Sequence, residues 1–153
     1  MKVKIKKLRP DAKLPVRGSE KAAGMDLYAM IDEPIQVRPG RTVMIPTGVA
    51  MHLDTPHYAG FIYARSGLGA KKGLVPGNLV GVIDADYQGE IMVAAWNRNQ
   101  GNRNVLTIEP GDRIAQLVIG RVQQIEWEEV EAFEESARGA NGFGSTGVRD
   151  VAA

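Results

Sequence analysis

Three short stretches of the chain hold residue types that phosphate chemistry needs. Arg65-Ser66-Gly67-Leu68-Gly69 sets a guanidinium and a hydroxyl beside two glycines. Arginine offers a rigid fork of donors to phosphate oxygens, and glycine lets backbone N–H groups approach an anion closely. A simple turn is the plainer use of these residues, and the G-x-x-x-x-G-K-[ST] spacing of a Walker A loop is absent. Asp84-Ala85-Asp86-Tyr87 follows the apolar, buried-looking run Leu79–Ile83. A carboxylate at a strand end is suited to hold and deprotonate a water, although a polar turn closed by Gly89 would use the same aspartates structurally. Asp26 stands in apolar company in Ala22-Ala23-Gly24-Met25-Asp26-Leu27. If buried, it needs a partner, either an ion pair or a metal-bound water.

The C-terminal tail adds a fourth stretch. Gly142-Phe143-Gly144-Ser145-Thr146-Gly147 is formally G-x-G-x-x-G. It does not qualify as a dinucleotide fingerprint, because no strand precedes it and six residues follow it. From Ala137 onward the residues are almost all small, so the segment cannot bury enough to order itself and reads most simply as a frayed tail. Its chemistry nonetheless suits wrapping a polyphosphate: backbone N–H groups, the hydroxyls of Ser145 and Thr146, and Arg138. Phe143 could stack on a flat ring.

Composition removes many alternatives. The 153 residues contain no cysteine, which excludes disulfides, thiolate nucleophiles and Cys-based metal sites. His52 and His57 are the only histidines, too few for a His-dominated zinc centre. With carboxylates and phosphate-binding elements present, the natural metal is Mg²⁺, held mostly by substrate phosphates and water. Nineteen Lys and Arg against eighteen Asp and Glu give a net charge of +1. That balance argues against coating duplex DNA, and with aromatics at 6% it argues against a nucleic-acid-binding barrel. No run approaches the roughly 18 apolar residues of a membrane span, and the basic start lacks a signal peptide's apolar stretch, so the default reading is a cytoplasmic protein without a membrane partner.

The elements that must position these residues read as strands. Eighteen glycines and eight prolines punctuate the chain. Between them Lys2–Lys6 and Val49–Leu53 alternate polar and apolar, while Phe61–Ala64, Leu79–Ile83, Ile91–Trp96, Val105–Ile108 and Ile114–Ile119 are runs of strand length. Many short strands between turns predict an all-β sandwich, barrel or jelly roll. The one modest helix candidate is Gly67–Lys72. The division expected is a β-domain over residues 1–136 and a flexible glycine-rich arm over 137–153. The ends are also charge-segregated: five cations lie in residues 1–9 and six glutamates in residues 126–135. Either the two segments meet, within a chain or between subunits, or both are solvated faces that guard sheet edges.

Five stretches in order are more specific than any one. Ala22–Ala29, Ala64–Gly69, Gly77–Gly89, Pro110–Leu117 and Arg138–Gly147 together resemble the five motifs of the trimeric deoxyuridine triphosphatase (dUTPase) family. The resemblance implies a jelly-roll fold, a homotrimer whose active sites are shared between subunits, and Mg²⁺-assisted hydrolysis of dUTP to dUMP and pyrophosphate by water attacking the α-phosphorus. It implies that Asp84 activates that water and that Tyr87 lies under the deoxyribose. Asn78, Val82 and Ile83 would read the uracil edge, with Met92 lining the pocket. Arg65, Ser66, Gly67 and Gln116 would grip the phosphates, and Asp26 would act on Mg²⁺ through water. Arg138, Gly144, Ser145 and Thr146 would close over the γ-phosphate while Phe143 covers the base.

Two other readings use the same fold. A dCTP deaminase relative would need a catalytic Glu three residues before Asn97, where this chain has Ala94. A non-catalytic nucleotide sensor would not need Asp84, Arg65 and Arg138 together.

Overall fold

A computed structural model describes residues 1–101, 104–136 and 139–140. Among them, alternation with a period of two builds the sheets. The clearest case is the strand Glu90–Asn97, where Ile91, Val93, Ala95 and Asn97 are buried and the residues between them half-buried. The strands in chain order are β1 (Lys4–Lys7), β2 (Val16–Arg17), β3 (Met25–Tyr28), β4 (Ile35–Val37), β5 (Thr42–His52), β6 (Tyr58–Tyr63), β7 (Leu74–Pro76), β8 (Gly81–Ile83), β9 (Glu90–Asn97), β10 (Leu106–Ile108) and β11 (Arg113–Arg121). One short helical turn, Leu68–Lys72, ends at Gly73, whose φ of 78° is the left-handed conformation that glycine adopts freely.

All pairings are antiparallel. One sheet has the order β1-β5-β9-β7, a second β2-β3-β11-β6-β8, and β10 pairs with β4. Their inner faces share a core: Ile45, Val49, Ile91 and Val93 from the first sheet, Leu27, Ile62, Ala115 and Leu117 from the second, and Val37 and Ile108 from the pair. The architecture is the nearly all-β, jelly-roll-like one expected, and the helix stands where it was predicted.

β5 is longer than the alternation of Val49–Leu53 suggests, because Pro46 and Gly48 sit inside it rather than ending it. The β5–β9 register shifts between Pro46 and Ala50, so the bulge absorbs a proline and a glycine at φ 69°. Side chains satisfy the disturbed ladder: the buried Thr47 hydroxyl donates to the Ile91 carbonyl at 2.6 Å, and Glu90 Oε1 accepts from the Gly48 N–H at 2.7 Å.

The run Leu79–Ile83 is a correction. Only Gly81–Ile83 is strand, and the run is largely exposed rather than buried. Leu79, 70% exposed with φ 63°, belongs to a tight turn in which its N–H donates to the Pro76 carbonyl and the Val80 N–H to that of Asn78. Hydropathy alone does not register that this strand lies at the edge of its sheet.

Candidate active site

Strand β11 runs between β3 and β6, which brings three of the sequence stretches to one place. Gln116 stands level with Asp26 on one side and with Tyr63 on the other. Its amide donates to the Ala64 carbonyl at 2.8 Å, pinning the backbone just before Arg65. Gly24 leaves this amide its room, since a Cβ there would lie 2.3 Å from Gln116 Oε1 and displace it. Beyond Arg65, the Gly69 N–H donates to the Arg65 carbonyl at 2.8 Å and starts the helical turn, leaving Ser66 and Gly67 exposed between two fixed points.

Asp26 is buried, and its partners are arginines. Oδ1 accepts from Arg65 Nε at 2.8 Å and Oδ2 from Arg113 Nη1 at 3.1 Å. Of the two partners that burial required, the ion pair is thus realised. Two guanidiniums on one carboxylate leave one positive charge in excess. Arg65 commits Nε to Asp26, and among the described residues its Nη groups make no side-chain hydrogen bond. Lys72 joins Arg65 and Arg113 around a cavity of about 430 Å³ also lined by Leu68, Thr107 and Asp112. The surroundings suit an anion. Arg113 was not singled out as a site residue, although it lies inside the stretch Pro110–Leu117. The requirement for a partner to a buried Asp26 was the signal that could have found it.

The third stretch forms a separate group. Gly77 closes on β9 through its N–H to the Ala94 carbonyl at 2.6 Å, and Asn78 follows in the turn, exposed. β8 then presents Val82 outward and Ile83 half-buried, and Asp84 is exposed just past its end. The loop beyond is held by two backbone bonds, Leu53 N–H to Ala85 O at 3.0 Å and Tyr87 N–H to Asp84 O at 3.2 Å. Tyr87 is oriented although exposed: its hydroxyl donates to the Glu90 carbonyl at 2.9 Å, and Gly89 lies so close that a Cβ would meet the ring. Met92 is half-buried on β9, level with Pro46.

The register keeps the two groups apart within one chain. In the β6–β8 pair, Ile62 faces Gly81 and Gly60 faces Ile83, so Asp84 is level with Ala59. Arg65 lies beyond the opposite end of β6. At ~3.3 Å per residue the two are separated by roughly 20 Å along the sheet. The chain brings Asp26, Arg65, Ser66, Gly67 and Gln116 together, and Asp84 stands elsewhere. Arg138, Phe143, Gly144, Ser145 and Thr146 lie outside the described residues.

The donor set bears on metal binding. Among the described residues no three His, Asp or Glu side chains gather as a cage. Each Asp26 oxygen accepts one hydrogen bond and keeps a lone pair, which fits a contact to metal-bound water rather than direct ligation. Such a set fits an ion that arrives with a polyphosphate.

Residues 10–147 match the dUTPase family model, a span holding all five stretches. The chain belongs to the dUTPase family. Within it, the chain is 53% identical over 147 residues to the deoxyuridine 5'-triphosphate nucleotidohydrolase of Polynucleobacter asymbioticus, covering 96% of this chain and 97% of that one. Among solved structures it is similar to the Staphylococcus bacteriophage 80alpha dUTPase with dUPNHPP, at a TM-score of 0.86 and 31% identity over 96% of this chain and 99% of that one. It is also similar to a mutant dUTPase from phage phi11 of S. aureus that reveals the coordination of a structural Mg(II) ion, at a TM-score of 0.78 and 26% identity, covering 88% of this chain and all of that one. Against this dUTPase background, Ala94 is a half-buried residue of β9 whose carbonyl serves the Gly77 turn, with no carboxylate at the position a deaminase would need.

Proposed function

We propose that the chain hydrolyses dUTP to dUMP and pyrophosphate, with an Asp84-activated water attacking the α-phosphorus, in a homotrimer whose active sites are shared between subunits. Family membership makes it a dUTP diphosphatase, and the reaction would keep uracil out of DNA while supplying dUMP for thymidylate synthesis. The observation that carries the shared site is the separation of Asp84 from the Asp26–Arg65–Gln116 group. Two parts of one reaction on opposite ends of β6 meet only if different copies supply them.

A second feature supports the oligomer. The outward face of β5, β9 and β7 carries an apolar cluster: Met44 faces Ala94, Pro46 faces Met92, and Trp96 faces Val75. An antiparallel sheet facing water on one side carries polar residues there. A face built this way is suited to packing against other copies.

Phosphoanhydride hydrolysis asks for in-line positioning and charge neutralisation more than covalent help. Arg65, with Ser66, Gly67 and Gln116, holds the phosphate chain, and its attachment to Asp26 keeps the guanidinium from swinging to solvent. Mg²⁺ arriving with the triphosphate would supply charge neutralisation, and Asp26 would hold it through water. Asp84 accepts the proton of the attacking water. Tyr87, held from both sides, underlies the sugar and leaves no room for a 2′-hydroxyl. Asn78 and the backbone at Val82 and Ile83 read uracil, whose N3–H donor replaces the N3 acceptor of cytosine. A site matched to one edge leaves buried groups unpaired against the other, worth roughly 10⁴-fold in discrimination. Residues 137–153 act as a lid in which Arg138, Gly144, Ser145 and Thr146 close on the γ-phosphate and Phe143 on the base, excluding bulk water.

The test is complementation. Chains with Asp84→Asn and chains with Arg65→Gln are each inactive alone. Co-refolded in equal amounts, they regain about a quarter of wild-type turnover, because half the sites by chance receive each intact contribution. Activity that stays absent in confirmed mixed oligomers contradicts a shared site.

A further inference from the structure

Glu90, the first residue of β9, holds both ends of a link between the β5 bulge and the Tyr87 ring. Between the pairs Pro46–Met92 and Ala50–Glu90, β5 has three residues where β9 has one. The register therefore gives the Gly48 N–H no residue of its own on β9, and Glu90 Oε1 accepts from it at 2.7 Å. The backbone carbonyl of the same Glu90 accepts from the Tyr87 hydroxyl at 2.9 Å. Among the described residues Glu90 makes no ion pair, so its half-buried carboxylate serves a backbone donor rather than a cation.

The bulge is a firm point of attachment. The Gly48 carbonyl accepts from the Leu8 N–H and the Pro46 carbonyl from the Met30 N–H, both at 2.8 Å. A Cβ on Gly48 would lie 2.8 Å from side-chain atoms of both Ala12 and Met30, so the backbone there is closely packed. Gly48 is buried, and its N–H has no water to turn to if the glutamate is lost. Tyr87 needs such an attachment. Its side chain is 42% exposed, and its one side-chain hydrogen bond among the described residues is the bond to Glu90. The backbone around Asp84 is tied down separately, through Leu53 N–H to Ala85 O and Tyr87 N–H to Asp84 O. The ring and the carboxylate of this loop are thus held by different bonds.

We infer that Glu90 is a positioning residue for sugar selection: its side chain fixes its backbone to the bulge, and that backbone fixes the Tyr87 ring. A ring that cannot swing excludes a 2′-hydroxyl by contact, whereas a loose ring makes room for it. A wall that yields rejects an added hydroxyl by only about 10²-fold, against the roughly 10³-fold or more expected of a fixed one. Loss of the link therefore costs about tenfold in discrimination against UTP. Catalysis on dUTP depends on Asp84 and the phosphate-gripping group, which the link does not touch. The inference rests on the placing of Tyr87 under the deoxyribose proposed above, and the wild-type substrate comparison tests that placing by itself.

The experiment compares kcat/KM for dUTP, UTP and dCTP, by pyrophosphate release with Mg²⁺, in the full chain and its variants. Glu90→Met keeps length and removes the acceptor. Its preference for dUTP over UTP should fall about tenfold, while its preference for dUTP over dCTP stays within about threefold of wild type. Glu90→Gln retains an acceptor oxygen and should restore the sugar preference to within about threefold. Tyr87→Phe keeps the ring, removes the donor and should lose sugar preference like Glu90→Met. The double variant should lose no more than about twofold beyond either single one, because both break the same link. Unchanged sugar preference in Glu90→Met and Tyr87→Phe, from a wild type that rejects UTP, overturns the inference and leaves the placing of Tyr87 standing. Equal losses of preference over UTP and over dCTP, or a glutamine variant no better than the methionine one, make Glu90 merely structural and also overturn it. If circular dichroism shows Glu90→Met unfolded, Tyr87→Phe decides, and an unchanged sugar preference there overturns the link. A wild type that turns over UTP as readily as dUTP overturns the placing of Tyr87 and the inference with it.

Discussion

Substituting Asp26 by Asn tests the geometry of the candidate site without relying on turnover. The carboxylate has 12% side-chain exposure, and its two partners differ in shielding: the Arg65 side chain is 30% exposed and that of Arg113 52%. A hydrogen bond to a charged group is worth about 1.5–3 kcal/mol where solvent is mostly excluded. The more exposed Arg113 contact is worth about 0.5–1 kcal/mol. Asparagine keeps one acceptor but turns an NH₂ group toward a guanidinium, so the net loss is about 2–3 kcal/mol. In a chain of this size each kcal/mol lowers Tm by about 2–4 °C, which predicts a fall of about 4–12 °C. Wild type and variant must be compared at equal protein concentration, since oligomerisation adds to apparent stability. Thermal and urea unfolding read the loss, and Arg113→Gln gives a second arm. If both groups act on one carboxylate, the double variant loses less than the sum by about 0.5 kcal/mol or more. A Tm within about 1 °C of wild type, or strict additivity, would refute the two-arginine clamp.

Other expectations follow from the same geometry. Asp84→Asn should keep fold and dUTP binding while kcat falls by about 10²–10⁴, read by pyrophosphate release and calorimetric titration; a near-normal rate would remove Asp84 as the base. Deleting residues 138–153 should leave the oligomer intact by sedimentation with a severely reduced rate, and a fully active truncation would contradict the lid. Gly24→Ala should push Gln116 off the Ala64 carbonyl and raise KM roughly threefold to tenfold with little change in Tm, since the clash is with the end of a flexible side chain. Lys4, hydrogen-bonded to Asp54, holds that carboxyl below its ordinary range. Its contribution is therefore present above the usual carboxylate pKa and lost as pH falls through the lowered folded value, so Asp54→Asn should flatten stability against pH on the acid side. An unchanged acid limb would show that the pair is idle.

Much of the fold was legible because alternation has a direct physical cause. Ile91–Trp96 places every second side chain in the core, Ile114–Ile119 does so from Ala115 onward, and the glycine-bearing turn after Arg65 cannot continue as strand. What escaped depends on contacts distant in sequence. Glycines and prolines read as punctuation, yet Thr47 and Glu90 repair the ladder around Pro46 and Gly48 within a single long strand. Leu79–Ile83 looks buried by composition, but its place at a sheet edge leaves Leu79, Val80 and Val82 in the open. The residues proposed to bind phosphate were recognisable by type, whereas the Arg113–Asp26 contact spans 87 positions and appears only when β3 and β11 are side by side. The separation of Asp84 from Arg65 is likewise a matter of register, which no local pattern encodes.

The central claim is dUTP hydrolysis with discrimination of base and sugar. It is tested most directly by measuring pyrophosphate release from the full chain with Mg²⁺ on dUTP, dCTP, dTTP and UTP in parallel. The account predicts turnover on dUTP alone, with the other three lower by about 10³-fold or more. Ammonia from dCTP, comparable rates on UTP, or binding of dUTP without turnover would each contradict it.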